Sequence, residues 1–211
     1  MSNDKGLIIV LSGFSGAGKG TIMNHLLAKY PGQYNLSISA TTRGKRDYEQ
    51  DGREYFFKSR EEFEEMIKNE RVLEYNVYNG NYYGTPRDYV EELINSGKDV
   101  LLEIEVHGAL QVKKLYPDSL LLFTTPPSAQ ELKERLVGRG TETAEEVANR
   151  MAISVKESSD MEYYDYLIIN DVLEDAVDSV HNIIKSEHLS IKRNNTRVNQ
   201  IKEDLKGFER R

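Results

Sequence analysis

Apolar residues gather in four short runs, at residues 7–11, 100–104, 120–123 and 166–169. Each has the length of a strand and little alternation of apolar with polar positions, which predicts parallel strands buried on both faces. The stretches between them carry helix signals. One helix is expected over residues 21–30, and another over 86–96, opening at Pro86 and closing before Gly97. Proline suits the first helical turn and glycine the residue past the end. Ser128 with Glu131, Thr143 with Glu146 and Asp171 with Glu174 have the spacing of capping boxes, in which two side chains satisfy the free N–H groups at a helix start. They predict helices reaching about Val137, Ser158 and Lys185. Strands alternating with helices give an α/β fold, a mainly parallel sheet flanked by helices.

Residues 37–84 break this rhythm. Short β-like pieces (37–40, 54–57, 72–77) surround one acidic helix, 59–69. Asn79-Gly80 is a hairpin turn before Tyr82-Tyr83, because both residues tolerate the positive φ that tight hairpins need. A small α+β insertion on the α/β core is predicted. Residues 191–211 differ again: seven lysines and arginines accompany Ile191, Val198, Ile201, Leu205 and Phe208 at roughly helical spacing. An amphipathic basic helix is expected there, read most simply as solvated.

The chain of 211 residues, 38 % hydrophobic and 30 % charged, fits one globular domain with inserted subdomains. Its net charge of −7 argues against a general nucleic-acid binder, so any anionic ligand must meet positive charge concentrated locally. The absence of cysteine excludes disulfides, thiolate metal sites and cysteine nucleophiles, and the four histidines have no metal-ligand spacing. No apolar run approaches the roughly 20 residues that span a bilayer. The opening Met1-Ser2-Asn3-Asp4-Lys5 lacks the pattern of an export signal. A cytoplasmic protein without membrane contact is expected.

The strongest chemical signal is Gly13-Phe14-Ser15-Gly16-Ala17-Gly18-Lys19-Gly20-Thr21, placed between the first strand and the first helix. That context predicts a P-loop. Glycines let the backbone curl so that successive N–H groups face phosphate oxygens at a helix N-terminus, and Lys19 can reach the β- and γ-phosphates. A dinucleotide loop is disfavoured, since its glycine spacing is absent. The residue after Lys19 is Gly20, and a hydroxyl follows only at Thr21. This argues for Mg²⁺ held by nucleotide and waters, near Thr21 and Glu103, with no direct protein ligand assigned. In residues 102–108, Glu103 and Glu105 alternate along the end of a strand, which puts them on one face at the sheet edge where ligands bind.

Beyond the loop, the chain resembles guanylate kinases from about Leu7 to Lys185. The stretches that carry the resemblance are Ser39-Ala40-Thr41-Thr42-Arg43-Gly44-Lys45-Arg46, Glu54-Tyr55-Phe56-Phe57, Gly80-Asn81-Tyr82-Tyr83-Gly84-Thr85 and Gly138-Arg139-Gly140-Thr141-Glu142. The resemblance implies a P-loop core (1–36, 87–127, 158–190), a GMP-binding insertion (37–86) and a helical lid (128–157), followed by the basic tail (191–211). It implies transfer of the γ-phosphoryl of Mg-ATP to GMP, and to dGMP, in purine nucleotide metabolism. It also assigns roles. Ser39, Arg43, Arg46, Tyr55 and Tyr83 hold the GMP phosphate, Glu74 and Thr85 read the guanine, and Glu103 and Glu105 line the GMP site. Arg135, Arg139 and Arg150 join Lys19 and Arg43 as catalytic cations, and Asn170 with Asp171 approaches adenine. Two arginines three apart can fork onto one dianionic phosphate, and Arg135 and Arg139, four apart, share a helix face. The family commonly has aspartates at 103 and 105, and many members have glutamine at 107, where this chain has His107.

Three other readings stay open on sequence alone: a non-catalytic, peptide-binding module of the same fold, a kinase for another nucleoside monophosphate, and nucleic-acid binding through the tail. The small-molecule partners expected are ATP and GMP, and monomer and homo-oligomer are both open.

Overall fold

The chain opens with β1 (Ile8–Gly13), α1 (Lys19–Lys29) and β2 (Tyr34–Leu36). A smaller unit follows, made of β3 (Ala40–Thr41), β4 (Phe56–Phe57), α2 (Arg60–Lys68), β5 (Val72–Tyr78) and β6 (Asn81–Pro86). Then come α3 (Arg87–Asn95), β7 (Asp99–Glu103), α4 (Val106–Leu115) and β8 (Leu120–Thr125). The helices α5 (Ala129–Gly138) and α6 (Ala144–Glu157) lead through a 3₁₀ turn at Ser158–Tyr163 to β9 (Tyr166–Ile169), α7 (Leu173–His188) and α8 (Asn195–Lys206). This is a computed structural model, and it describes residues 5–138, 140 and 143–208.

The core sheet is parallel throughout, in the order β2-β7-β1-β8-β9. Successive residues of β1 face opposite sides, and both sides are covered. Leu7, Ile9 and Leu11 meet Ile22 and Leu26 of α1 and Val177, Val180 and Ile184 of α7. Ile8 and Val10 meet Val90 and Ile94 of α3 and Ala109 and Val112 of α4. Full burial contributes roughly 1.5–3 kcal/mol for each such side chain, which is why β1 reads as an unbroken apolar run. The C-terminal strand ends, at Gly13, Glu103 and Ile169, share one edge of the sheet, the edge where ligands of open parallel sheets bind.

The second sheet has the order β4-β3-β6-β5, with β3 and β5 antiparallel to β6. Asn79 (φ 48°) and Gly80 (φ 77°) form the β5–β6 turn, with the positive φ at both positions that a two-residue hairpin favours. Phe63 of α2 packs on Ala40 and Val72. Val72 pairs with Pro86 and Tyr75 with Gly84, so Leu73 and Glu74 together face the single residue Thr85. This bulge re-aims Glu74.

Several expectations need correction. β2 is a fifth core strand over Tyr34–Leu36, whereas the predicted piece at 37–40 is mostly the passage between the two sheets. β9 lies at the sheet edge with Tyr166, Leu167 and Ile169 exposed, so it is not buried on both faces. Pro86 ends β6 and caps α3 without entering it. Ser128 caps Glu131 N–H at 3.1 Å, but the Glu131 carboxylate turns to Arg135, so that box is half formed. Asp171 does not cap α7: the helix starts at Leu173, which packs on the core, and Val172 is its N-cap. Its end extends to His188, whose Nε2 lies 2.8 Å from Asp99 Oδ2. Thr143–Glu146 forms the predicted box in full.

Candidate active site

Between β1 and α1 the backbone takes positive φ at Gly13, Gly16 and Gly18, a path open to glycine at little cost. All three are also spatially constrained: a Cβ on Gly13 would come 2.0 Å from Thr124 O of β8. A Cβ on Gly16 would come 2.9 Å from Leu136 of α5, and one on Gly18 would come 2.4 Å from Asn170 Nδ2. The loop is therefore clamped by the two helices that follow β8 and by the end of β9. Asn170, buried, donates to Ala17 O at 2.8 Å, Arg150 of α6 donates to Ser15 Oγ, and Phe14 sits edge-on to Phe123 at 4.9 Å. Lys19 Nζ donates to the carbonyls of Gly13 (2.9 Å) and Phe14 (3.1 Å), which holds its charge over the loop.

Glu103 ends β7 beside this loop. Its carboxylate oxygens lie 3.4–3.5 Å from where a Cβ on Gly20 would stand. Burial pushes its pKa up, and the Lys19 ammonium works against that shift. Thr21 is exposed on α1. Glu105 is not on the strand at all: it is the N-cap of α4, two residues past the end of β7, and it accepts from Asn76 Nδ2 at 2.6 Å. Strand alternation therefore does not relate Glu103 to Glu105, because β7 has already ended at Glu103, but both line one cleft.

A cleft of about 540 Å³ opens between β5, β6 and the β7–α4 connection, lined by Ser39, Tyr55, Glu74, Tyr83, Glu103, Glu105 and His107 among others. Glu74 is 7 % exposed and Thr85 1 %, and Thr85 Oγ1 donates to Glu74 Oε1 at 2.7 Å. Burial raises the Glu74 pKa, Thr85 opposes the rise, and Glu105 adds to it. A glutamate in a strand of this texture reads more readily as solvent-facing, and the bulge is the reason it is not. Gly108 of α4 makes room for it, since a Cβ there would stand 2.8 Å from Glu74 Oε2.

The cleft shares Tyr55, Tyr78 and Tyr83 with a neighbouring cavity of about 380 Å³ that holds Arg43, Arg46 and Glu49. Arg43 forks onto Glu49, with Nη1 at 3.0 Å and Nη2 at 2.6 Å, and its guanidinium lies over the rings of Tyr55 and Phe57. Glu49, 4 % exposed, also accepts from the Arg46 N–H at 2.8 Å, while the Arg46 side chain donates to Tyr48. The Arg43 guanidinium holds the Glu49 carboxyl below the usual carboxylate range.

The predicted residues thus form three groups: the loop with Lys19, Asn170 and Arg150; the cleft with Ser39, Glu74, Thr85 and Glu103; and the cavity with Arg43, Arg46, Tyr55 and Tyr83. Arg135 pairs within α5, its Nη2 donating to Glu131 at 2.6 Å. Arg139 lies outside the described residues. Four residues were missed from the sequence. Glu49 lacked a motif of its own, although its spacing from Arg43 and Arg46 was visible. Asn76 and Gly108 depend on the approach of β5 to α4, which no local pattern encodes. Glu157 ends α6, where burial raises its pKa and the Lys19 charge opposes the rise; as one more acid in a charged helix it carried no signal. Among the described residues no three histidines or carboxylates gather as a metal site, and no helix is long and apolar enough to cross a membrane.

A family model for guanylate kinase matches residues 5–187. The chain is 52 % identical over 188 residues to a guanylate kinase of Bacillus cereus, covering 89 % of this chain and 92 % of the relative. It is 50 % identical over 204 residues to one of Oceanobacillus iheyensis, covering 97 % and 98 %. The crystal structure of guanylate kinase from Anaplasma phagocytophilum superposes with a TM-score of 0.70 at 31 % identity, covering 90 % of each chain.

Proposed function

The chain belongs to the guanylate kinase family and acts as an ATP:GMP phosphotransferase; from that premise we propose how its residues divide the work. The observation that carries the reading is Glu74, a carboxylate buried at a cleft wall with Thr85 as its hydrogen-bond donor. Guanine offers N1–H and N2–H₂ side by side, and one carboxylate accepts both, while the Thr85 hydroxyl can turn toward the O6/N7 edge. The cavity beyond Tyr55 and Tyr83 takes the GMP phosphate on Arg43 and Arg46, with Ser39 and the two tyrosines as neutral donors. The loop at residues 13–21 takes the ATP phosphates.

Transfer is in line, from the γ-phosphoryl to a phosphate oxygen of GMP. That oxygen is already ionised, so no general base is needed. Catalysis is positioning and charge neutralisation by Lys19, Arg43, Arg135, Arg139 and Arg150. ATP-dependent kinases imply Mg²⁺, and the residues fit an ion held chiefly by nucleotide and water. Glu103 is the carboxylate beside the loop, Thr21 is exposed, and no cage of three acids is present among the described residues. Held there, Mg²⁺ would supply charge neutralisation to the transferring phosphates.

Adenine has an acceptor at N1, so AMP would leave Glu74 buried and unmatched. Sites built on such bonds reject analogues that lack them by roughly 10⁴–10⁵. ADP release measured across the common monophosphates should favour GMP over AMP by at least about a thousandfold in kcat/KM. Glu74→Gln should erode most of that ratio by weakening GMP. Equal use of AMP by the wild type, or intact discrimination in the variant, would remove Glu74 from base reading.

A further inference from the structure

α8 stands apart from everything above. Lys192 pairs with Asp118 and Arg193 donates to Lys5 O, so the turn before the helix is fastened to the body. Beyond that turn the helix buries none of its residues, and Ile201, Leu205 and Phe208 are 50 %, 60 % and 83 % exposed. In sequence, positions 191, 194, 198, 201, 205 and 208 are alternately three and four apart. Val198 (half-buried), Ile201 and Leu205 lie within the helix, while Ile191 and Asn194 precede it and Phe208 follows it. A helix meant to lie on a globular body carries a wider apolar face, whereas a narrow stripe at this spacing is the seam of a helix pair.

The charges beside the seam select the partner. Arg197 and Asp204 flank it on one side, Asn195 and Lys202 on the other. In a parallel pair of identical helices, Arg197 meets Lys202 of the other copy. In an antiparallel pair centred between residues 199 and 200, Val198 of each copy faces Ile201 of the other, and Leu205 reaches Asn194, the N-cap of the other helix. Arg197 then lies beside Asp204, twice over by symmetry. Sliding the pair one heptad either way sets Arg197 against Arg197, or Asp204 against Asp204 and Lys202 against Lys202. Asn194 is the one polar seam residue, and its amide is already used: Nδ2 donates to His188 O and Ser190 O, each at 2.9 Å. It can face Leu205 without an unanswered donor.

We propose that α8 is a self-association element, pairing antiparallel with α8 of a second copy of this chain in that one register. A two-fold contact of this kind presents the same patch from both copies. The 12-residue helix is about 18 Å long at 1.5 Å per residue, so the area it covers is at the small end for specific interfaces. The association is therefore weak and concentration-dependent.

Sedimentation velocity over a micromolar series of the full chain tests it. The wild type should move from monomer toward dimer mass, and Ile201→Glu should hold the monomer at every concentration while GMP turnover at saturating substrates stays the same. Arg197→Asp alone and Asp204→Arg alone should each weaken dimerisation roughly three- to tenfold, the range of two exposed ion pairs; together they should restore it. A wild type that stays monomeric, or a dimer that survives Ile201→Glu, overturns the proposal. Failure of the double exchange to restore dimerisation overturns the antiparallel register. Salt-sensitive retention of the monomer on RNA, with no self-association, would assign the basic helix to nucleic acid instead.

Discussion

Glu49 and Glu74 are both buried carboxylates near a site for an anion, yet they do opposite things. Glu49 is answered twice over, by the Arg43 fork and the Arg46 N–H, and the pairing holds its pKa down. Replacing it by glutamine removes a nearby negative charge, which favours phosphate, but leaves one acceptor where the fork needs two, which frees Arg43 to wander. A bidentate fork fixes geometry as well as energy, so the second effect should win: Glu49→Gln should raise KM for GMP about tenfold, with kcat and KM for ATP little changed. A lowered KM would mean that Glu49 competes with phosphate instead of positioning Arg43. Glu74 is answered by the neutral hydroxyl of Thr85, and burial raises its pKa. The folded state then holds the proton more tightly than the unfolded chain. The native state therefore loses stability as pH rises from the unfolded pKa through the folded one. Glutamine is neutral at every pH. Glu74→Gln should therefore melt higher than wild type at neutral pH, by roughly 2–4 °C for about 1 kcal/mol in a chain of this size. The gap should close on acidification. A gap that widens in acid would contradict the assigned burial penalty.

Elements bring these residues together, and Gly108 is where two of them touch. On its own helix Gly108→Ala should stabilise α4 by about 1 kcal/mol. Its new Cβ, however, would stand 2.8 Å from Glu74 Oε2, the far end of a flexible side chain that can swing aside. The variant should therefore melt within about 3 °C of wild type while KM for GMP rises at least about fivefold. Unchanged GMP affinity would show that Glu74 tolerates displacement. The alternation of apolar runs and helix signals made the parallel core legible, because strands buried on both faces, such as β1, leave an unmistakable mark. The loop at residues 13–21 was legible because its chemistry is local: strand, glycines, lysine and helix are adjacent in sequence. Tyr34–Leu36 was not, being three residues with a polar centre. The β5 bulge and the closeness of Gly108 to Glu74 are set between segments far apart along the chain, and no short window contains both partners. Asp171 misled because its spacing to Glu174 fits a capping box, while the core took Leu173 as the first helical residue and shifted the start.

At the scale of the whole molecule, the phosphate ligands we propose sit on three parts of the chain: Lys19 on the core, Arg43 and Arg46 beside the second sheet, and Arg135 and Arg150 on α5 and α6. Arg43 answers to Glu49 and Arg135 to Glu131, each a near neighbour in its own segment. Productive transfer needs these cations to converge on one pair of nucleotides with water excluded, and the cost of rearranging their local partners must come from the substrates' own charge. GMP and an ATP analogue bound together should therefore draw the three parts inward, while either alone should do so incompletely. A chain ending at Ser190 suits the measurement, because it keeps His188 on Asp99 and removes α8 with its proposed self-pairing. A compact globule of that length has a radius of gyration of about 16 Å. Solution scattering should give a larger value without ligand and a value approaching that figure with both GMP and a non-hydrolysable ATP analogue under Mg²⁺. The same experiment on Arg43→Ala should lose most of the contraction, because one of the converging cations is gone. A radius that does not change when both nucleotides are bound, at concentrations that saturate by calorimetry, would mean that the site is preformed and that α5 and α6 do not act as a lid.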